Sequence, residues 1–113
     1  MTGEDTDVGA VLPDAYGVRV IVCVGEFDAD TVRPLDVAAH EALDDPGVRR
    51  LVLDVSTVTF ADSSVLYVLL RTCRSGRLVL AGPVPSRLER LFDMTEVASL
   101  FTLVDGVEAA RSL

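Results

Sequence analysis

Eight residues, VRVIVCVG from Val18 to Gly25, constrain this chain more than any other stretch. β-Branched side chains are stiff at χ1 and pack well on a pleated surface. A near-continuous apolar run of them is what a strand covered on both faces requires. VGAVL, Val8 to Leu12, reads as a short strand before it, and PDAYG between them reads as a turn punctuated by Pro13, Asp14 and Gly17. The two strands together predict a hairpin.

The next segment, EFDADTVRPLDVAAHEALDDPG, changes period. Leu35, Ala38, Ala39 and Ala42 fall at i, i+3, i+4 and i+7, with Val32 one turn earlier and Leu43 beside the stripe, so the spacing predicts an amphipathic helix. Thr31 is the expected N-cap, which puts Pro34 at N3, where its missing N–H has no intrahelical partner to lose. Asp45-Pro46-Gly47 ends this helix. RRLVLDVSTV, from Arg49, reads as a third, central strand, and VLYVLLRTC, from Val65, as a second helix with Leu66, Leu69, Leu70 and Cys73 on one face. SGRLVLAG is a turn and a fourth strand. SRLERLFDM opens on the capping box Ser86-x-x-Glu89 and buries Leu88, Leu91 and Phe92. ASLFTL, from Ala98, is a short edge segment or simply packs. Asp105-x-x-Glu108 is a second box-like start, for a terminal helix through Leu113.

Strands joined by helical crossovers run parallel. The pattern therefore predicts an α/β fold: a mixed sheet of four to five strands with an initial β-hairpin, parallel crossovers and about four helices. Residues 1–7 are expected to form a flexible tail and residues 8–113 a single domain.

A chain of 113 residues, half of them hydrophobic, buries a core without staples. With no Trp and few aromatics, that core is mainly Val, Leu and Ala. The formal charge of -8 disfavours direct binding to nucleic acid or an anionic membrane surface and leaves a folded protein partner open. No run approaches the roughly 18 apolar residues of a membrane span. MTGEDTDVGA lacks the basic and apolar regions of a signal peptide, so a cytoplasmic location is expected. Cys23 and Cys73 lie far apart in apolar segments, with no CxxC or Cys/His cluster, and are expected to be buried free thiols.

Catalytic readings fail on supply. The only histidine, His40, lies mid-helix beside the apolar stripe, and no G-x-S-x-G elbow frames a serine. Gly-rich phosphate loops of the Walker or dinucleotide type are absent. The carboxylates are scattered, with no pair singled out. No cofactor or metal site is expected, and an enzyme is the minority reading.

Attention therefore falls on Asp62-Ser63-Ser64, between a central strand and the second helix. Asp62 or Ser63 serves as an N-cap. One cap suffices, however, and the chain supplies three candidates in succession. Ser64 then falls in the first helical turn with its hydroxyl able to reach solvent. A phosphoryl group there meets free backbone N–H groups and the positive end of the helix dipole. It adds about -1.5 to -2 units of charge.

The run LVLDVSTVTFADSS, with Asp54 and its terminal Asp-Ser-Ser, resembles the signature of STAS domains, and more narrowly that of bacterial anti-sigma factor antagonists. GEFDADT, Gly25 to Thr31, is similar to the family's G-E-L-D-x-x-T, and LFTLVDGVEAARSL resembles its closing segment. The likeness runs from about Val8 to the end, with the elements in family order. It implies a STAS-like sheet and a partner-switching role. The unphosphorylated domain binds an anti-sigma factor that is also a serine kinase, which frees a sigma factor for transcription. Phosphorylation of the second serine of the pair, Ser64 here, dissociates the complex, and a serine phosphatase reverses the modification. Nucleotide and Mg²⁺ belong to the kinase.

The resemblance also places Asp28, Asp62 and Ser63 on one partner-binding surface with Ser64. Val65 and Tyr67 join them as departures, because many family members carry Gly directly after Asp-Ser-Ser. Val65 puts bulk beside the serine and Tyr67 projects from the same turn. Either the kinase groove is reshaped to match, or this member binds partners without being a substrate. Two other readings stand beside the switch: an unphosphorylated STAS interaction module in a larger signalling assembly, and a small enzyme built on scattered carboxylates or His40.

Overall fold

In the computed structural model, which describes residues 8–113, the chain runs through β1 (Val8–Val11), β2 (Val18–Phe27), α1 (Arg33–Asp44), β3 (Arg50–Ala61) and α2 (Ser63–Cys73). It continues through β4 (Leu78–Ala81), α3 (Ser86–Thr95), a 3-10 turn at Ala98–Leu100, β5 (Leu103–Val104) and α4 (Val107–Arg111). The flexible tail expected at residues 1–7 lies outside the described residues. The sheet order is β1-β2-β3-β4-β5, with β1 antiparallel to β2 and every other pair parallel. The expected mixed sheet, hairpin and four helices are all present. Among the described residues no helix is long and apolar enough to cross a membrane.

Crossovers between parallel strands are almost always right-handed. Each one here steps the same way along the sheet, so α1, α2 and α3 are laid on one face. There Ile21, Cys23, Phe27, Leu53, Val55 and Leu80 meet Leu35 and Ala39 of α1, Val65 and Leu69 of α2, and Leu88 and Phe92 of α3. The alternate residues Val18, Val20, Val52, Val79 and Ala81 face the other way and pack on Ala110 of α4. Cover on both faces is why these strands read as unbroken apolar runs. Both cysteines are free. Burial, and secondarily the charge of Asp54, pushes the Cys23 thiol up to about 12. Cys73 departs from expectation in being only half-buried.

Helix starts depart most from the sequence reading. Residue Val32, with no side-chain cap, opens α1, and Pro34 sits at N2 rather than N3. Thr31 is turned back into the preceding loop instead. In α3 the N-cap is Pro85 (φ -62°, ψ 151°) and Ser86 is already helical, so the capping box does not form. Glu89 N–H donates to Pro85 O at 2.9 Å, which supplies the missing acceptor from the backbone. Gly106 (φ +95°) is the N-cap of α4, which puts Asp105 one residue too early for its box, and the helix stops at Arg111 instead of Leu113. The buried face of α2 is Val65, Leu66, Val68, Leu69 and Thr72, while Leu70 and Cys73 sit at its margin. Thr72 is buried at little cost because its hydroxyl donates to Val68 O at 2.7 Å.

In this sheet β3 has twelve residues and β2 ten. The register shifts between Val22 and Val24 and again between Gly25 and Glu26, so each shift absorbs one extra residue of β3. At the first, Asp54 Oδ1 accepts from Ser56 N–H (3.0 Å) and Ser56 Oγ (2.7 Å), and Thr57 Oγ1 donates to Cys23 O at 2.9 Å. At the second, Gly25 adopts φ +92°, with no atom within 4 Å of where a Cβ would sit. Backbone conformation, not space, requires glycine there. Gly25→Ala is expected to lower unfolding free energy by about 1–2 kcal/mol, read as an earlier urea midpoint with an unchanged slope.

Candidate functional site

The last rung between β2 and β3 pairs Phe27 with Ala61, and Asp62 N–H then donates to Phe27 O at 3.3 Å. Asp28 and Asp62 therefore stand side by side, each one residue beyond its strand. Asp62 is the N-cap of α2: its Oδ1 accepts from Ser64 N–H at 2.8 Å, and its carbonyl accepts from Val65 N–H at 3.1 Å. Of the two candidate caps, Asp62 takes the role because its extended backbone (φ -127°, ψ -168°) aims the carboxylate back over the helix start. Ser63 is exposed and Ser64 half-buried, and neither hydroxyl bonds to another group among the described residues. The backbone around Ser64 is less open than its position implied, because the Ser64 N–H is already engaged by Asp62.

Asp28 organises the loop before α1. Its Oδ1 accepts from Asp30 N–H at 2.9 Å and Thr31 N–H at 3.0 Å. The Thr31 hydroxyl accepts from Asp28 N–H at 2.9 Å and lies within reach of both Glu26 O and Asp28 Oδ1, so its one proton serves one acceptor at a time. The Thr31 hydroxyl, then the Asp30 N–H, hold the Asp28 carboxyl below the usual carboxylate value of 3.8. Exposed Glu26 and Asp30 extend the acidic rim. They lie in the GEFDADT run, yet only the pairing of β2 with β3 shows them converging with Asp62.

Tyr67, one turn beyond the serines, is 66% exposed, and the Arg71 guanidinium lies 5.7 Å from its ring centroid. Val65 corrects the sequence reading. It is only 4% exposed and belongs to the core cluster with Phe27, Leu35 and Leu88. One residue along a helix is a rotation of about 100°, which carries Val65 inward while Ser64 stays at the surface. Its bulk therefore does not stand between the hydroxyl and a partner. A residue missed in the sequence is Arg87, whose guanidinium lies 5.0 Å from the ring centroid of Phe60, two positions before Asp62. Nothing in its local spacing marks it.

Among the described residues no three His, Cys, Asp or Glu side chains group as metal ligands. His40 is exposed on α1 and lines a hollow of about 90 Å³ with Asp36, Leu43 and Arg71, which contains neither serine of the site. The arrangement brings two serine hydroxyls and an acidic rim to one end of the sheet.

A family model for the STAS domain matches residues 10–110. Among solved structures, the chain is similar to an anti-sigma factor antagonist from Mycobacterium paratuberculosis (24% identity, TM-score 0.80, covering 99% of this chain and 97% of that one). It is also similar to the anti-sigma factor antagonist SpoIIAA in its unphosphorylated form (18% identity, TM-score 0.73, 91% of each chain). The phosphorylated form of SpoIIAA, from Bacillus, matches at 20% identity and TM-score 0.68, covering 91% of this chain and 95% of that one. At these identities the likenesses show a shared fold.

A depressed carboxyl pKa means that Asp28 stabilises the fold above its unfolded value, a contribution lost as pH falls through the lower folded value. Thr31→Val removes the largest cause. The Asp28 carboxyl is then expected to titrate at higher pH by NMR, with a shallower acid loss of stability, and an unchanged titration contradicts this assignment.

Proposed function

The chain belongs to the STAS-domain family, and on that premise we propose that it acts as an anti-sigma factor antagonist switched off by phosphorylation of Ser64. In its unmodified form it binds an anti-sigma factor with serine kinase activity and so frees a sigma factor. The kinase transfers the γ-phosphoryl group of ATP to Ser64 Oγ, the hydroxyl proton passes to a base on the kinase, and ADP leaves. A serine phosphatase hydrolyses the phosphoester and restores the binding form. The nucleotide and its Mg²⁺ belong to the kinase.

One observation carries this reading: Ser64 lies in the first turn of α2, its hydroxyl unengaged among the described residues, its N–H held by the Asp62 carboxylate at 2.8 Å. Asp28, Asp62, Ser63 and Tyr67 surround it as the partner-binding surface, whereas buried Val65 supports the helix from within. Phosphorylation adds about -1.5 to -2 units of charge beside a carboxylate that already caps the helix. A phosphate at Ser64 competes with Asp62 for the same N–H and is repelled by it. In a desolvated interface such unpaired charge is costly and acts mainly on dissociation.

Candidate anti-sigma kinases from the same genome provide the test. Ser64→Ala is expected to bind its kinase within about twofold of wild type and to accept no phosphate at this site. Ser64→Asp is expected to bind about tenfold or more weakly, or about 1.4 kcal/mol. Equal binding by all three proteins, with no phosphate on Ser64 by mass spectrometry, overturns the switch and favours an unphosphorylated interaction module.

A further inference from the structure

Ser63, Tyr67, Leu70 and Arg74 fall at i, i+4, i+7 and i+11, a single stripe along the exposed side of α2. The far part of that stripe walls a groove of about 440 Å³, lined by Tyr67, Leu70, Arg71, Cys73 and Arg74 and by Leu100 of the 3-10 turn. Leu100 is 57% exposed, so the groove offers apolar surface to water at both of its walls. The two walls are tied together, since Cys73 Sγ donates to Leu100 O at 3.1 Å. Arg71 pairs with Asp36, whereas Arg74 pairs with no carboxylate among the described residues.

We propose that this groove seats an apolar side chain of the anti-sigma kinase that reaches Ser64, with a carboxylate of the same partner beside it on Arg74. The inference rests on the kinase partner of the reading above. Continuity argues for that occupant. Ten residues of helix separate Ser64 from Arg74, about 15 Å, so one partner of ordinary footprint covers both. Charge argues the same way. In a chain of net charge -8, the groove is lined by no carboxylate and by two arginines, of which Arg71 is held by Asp36 and Arg74 has no carboxylate partner among the described residues. The serine end, in contrast, carries Asp28 and Asp62. A partner with a basic patch at one end and an acid-flanked apolar anchor at the other fits this polarity in one orientation only. An apolar anchor closed off from water is also where interface energy concentrates.

The separation has a consequence for the switch. It exceeds the Debye length of about 8 Å at physiological salt, so in the free protein charge added at Ser64 is largely screened from the groove. The two ends should contribute independently, as distant sites do.

The kinase identified in the binding assay above provides the probe, with the whole chain. Iodoacetamide reports on Cys73 alone, because Cys23 is 1% exposed and its thiol is pushed up to about 12. Kinase is expected to slow Cys73 alkylation tenfold or more. Leu100→Arg, at an exposed position, is expected to keep the far-ultraviolet spectrum and to weaken binding tenfold or more, by the same factor in wild-type and Ser64→Asp backgrounds. Wild-type affinity in Leu100→Arg, or unprotected Cys73 in the complex, overturns the groove while a Ser64→Asp effect leaves the switch standing. A groove effect with no Ser64→Asp effect retains the groove and sinks the switch. No kinase binding at all overturns both.

Discussion

The hydrogen bond from Asp62 N–H to Phe27 O, one residue past the last β2–β3 rung, joins the end of one strand to the start of the next helix. It places Asp62 where its carboxylate caps α2, and the cap sets the rotational phase of the helix. That phase turns Val65, Leu66 and Leu69 into the core and leaves Ser63, Tyr67 and Arg74 outside. It also brings the Asp28 loop alongside, since Asp28 follows Phe27 directly. The acidic rim and the serine hydroxyls are thus a by-product of how the two longest strands end side by side.

Charge follows the same economy. Several arginines are occupied: Arg19 holds Asp14 and Asp45, Arg77 donates to Leu43 O and Val48 O, and exposed Arg71 ties α2 to Asp36 on α1. Glu26, Asp28, Asp30 and Asp62 form no ion pair among the described residues. Exposed ion pairs contribute little to stability. Their distribution leaves Glu26, Asp28, Asp30 and Asp62 without ion-pair partners among the described residues at one end of the sheet.

Much of this was legible in the sequence, and the exceptions share a cause. VRVIVCVG and RRLVLDVSTV announce β2 and β3 because strands covered on both faces need β-branched runs. Their ends are not legible: β2 continues two residues past Gly25 and β3 three past Val58, because two bulges let glycine and threonines stay within the ladder. The boxes at Ser86 and Asp105 fail for a related reason. Pro85 and Gly106 determine where the backbone enters the helix, and a side-chain motif cannot cap a turn that begins one residue away. Asp62, Ser63 and Ser64 stood out as a candidate site because three capping residues exceed what one helix needs. The convergence of Glu26, Asp28 and Asp30 with Asp62 is a property of sheet register, and the inward turn of Val65 a property of helix phase, so neither is written in local spacing.

The topology also sets an order of assembly. Three helices cover one face as the chain is laid down, but among the described residues Val18, Val20, Val52 and Val79 on the other face find helical cover only in α4. As a ribosome delivers the chain from its N-terminus, that valine surface stays bare until residues 107–111 have emerged. Without α4, that apolar sheet face loses the contact with Ala110 that closes it.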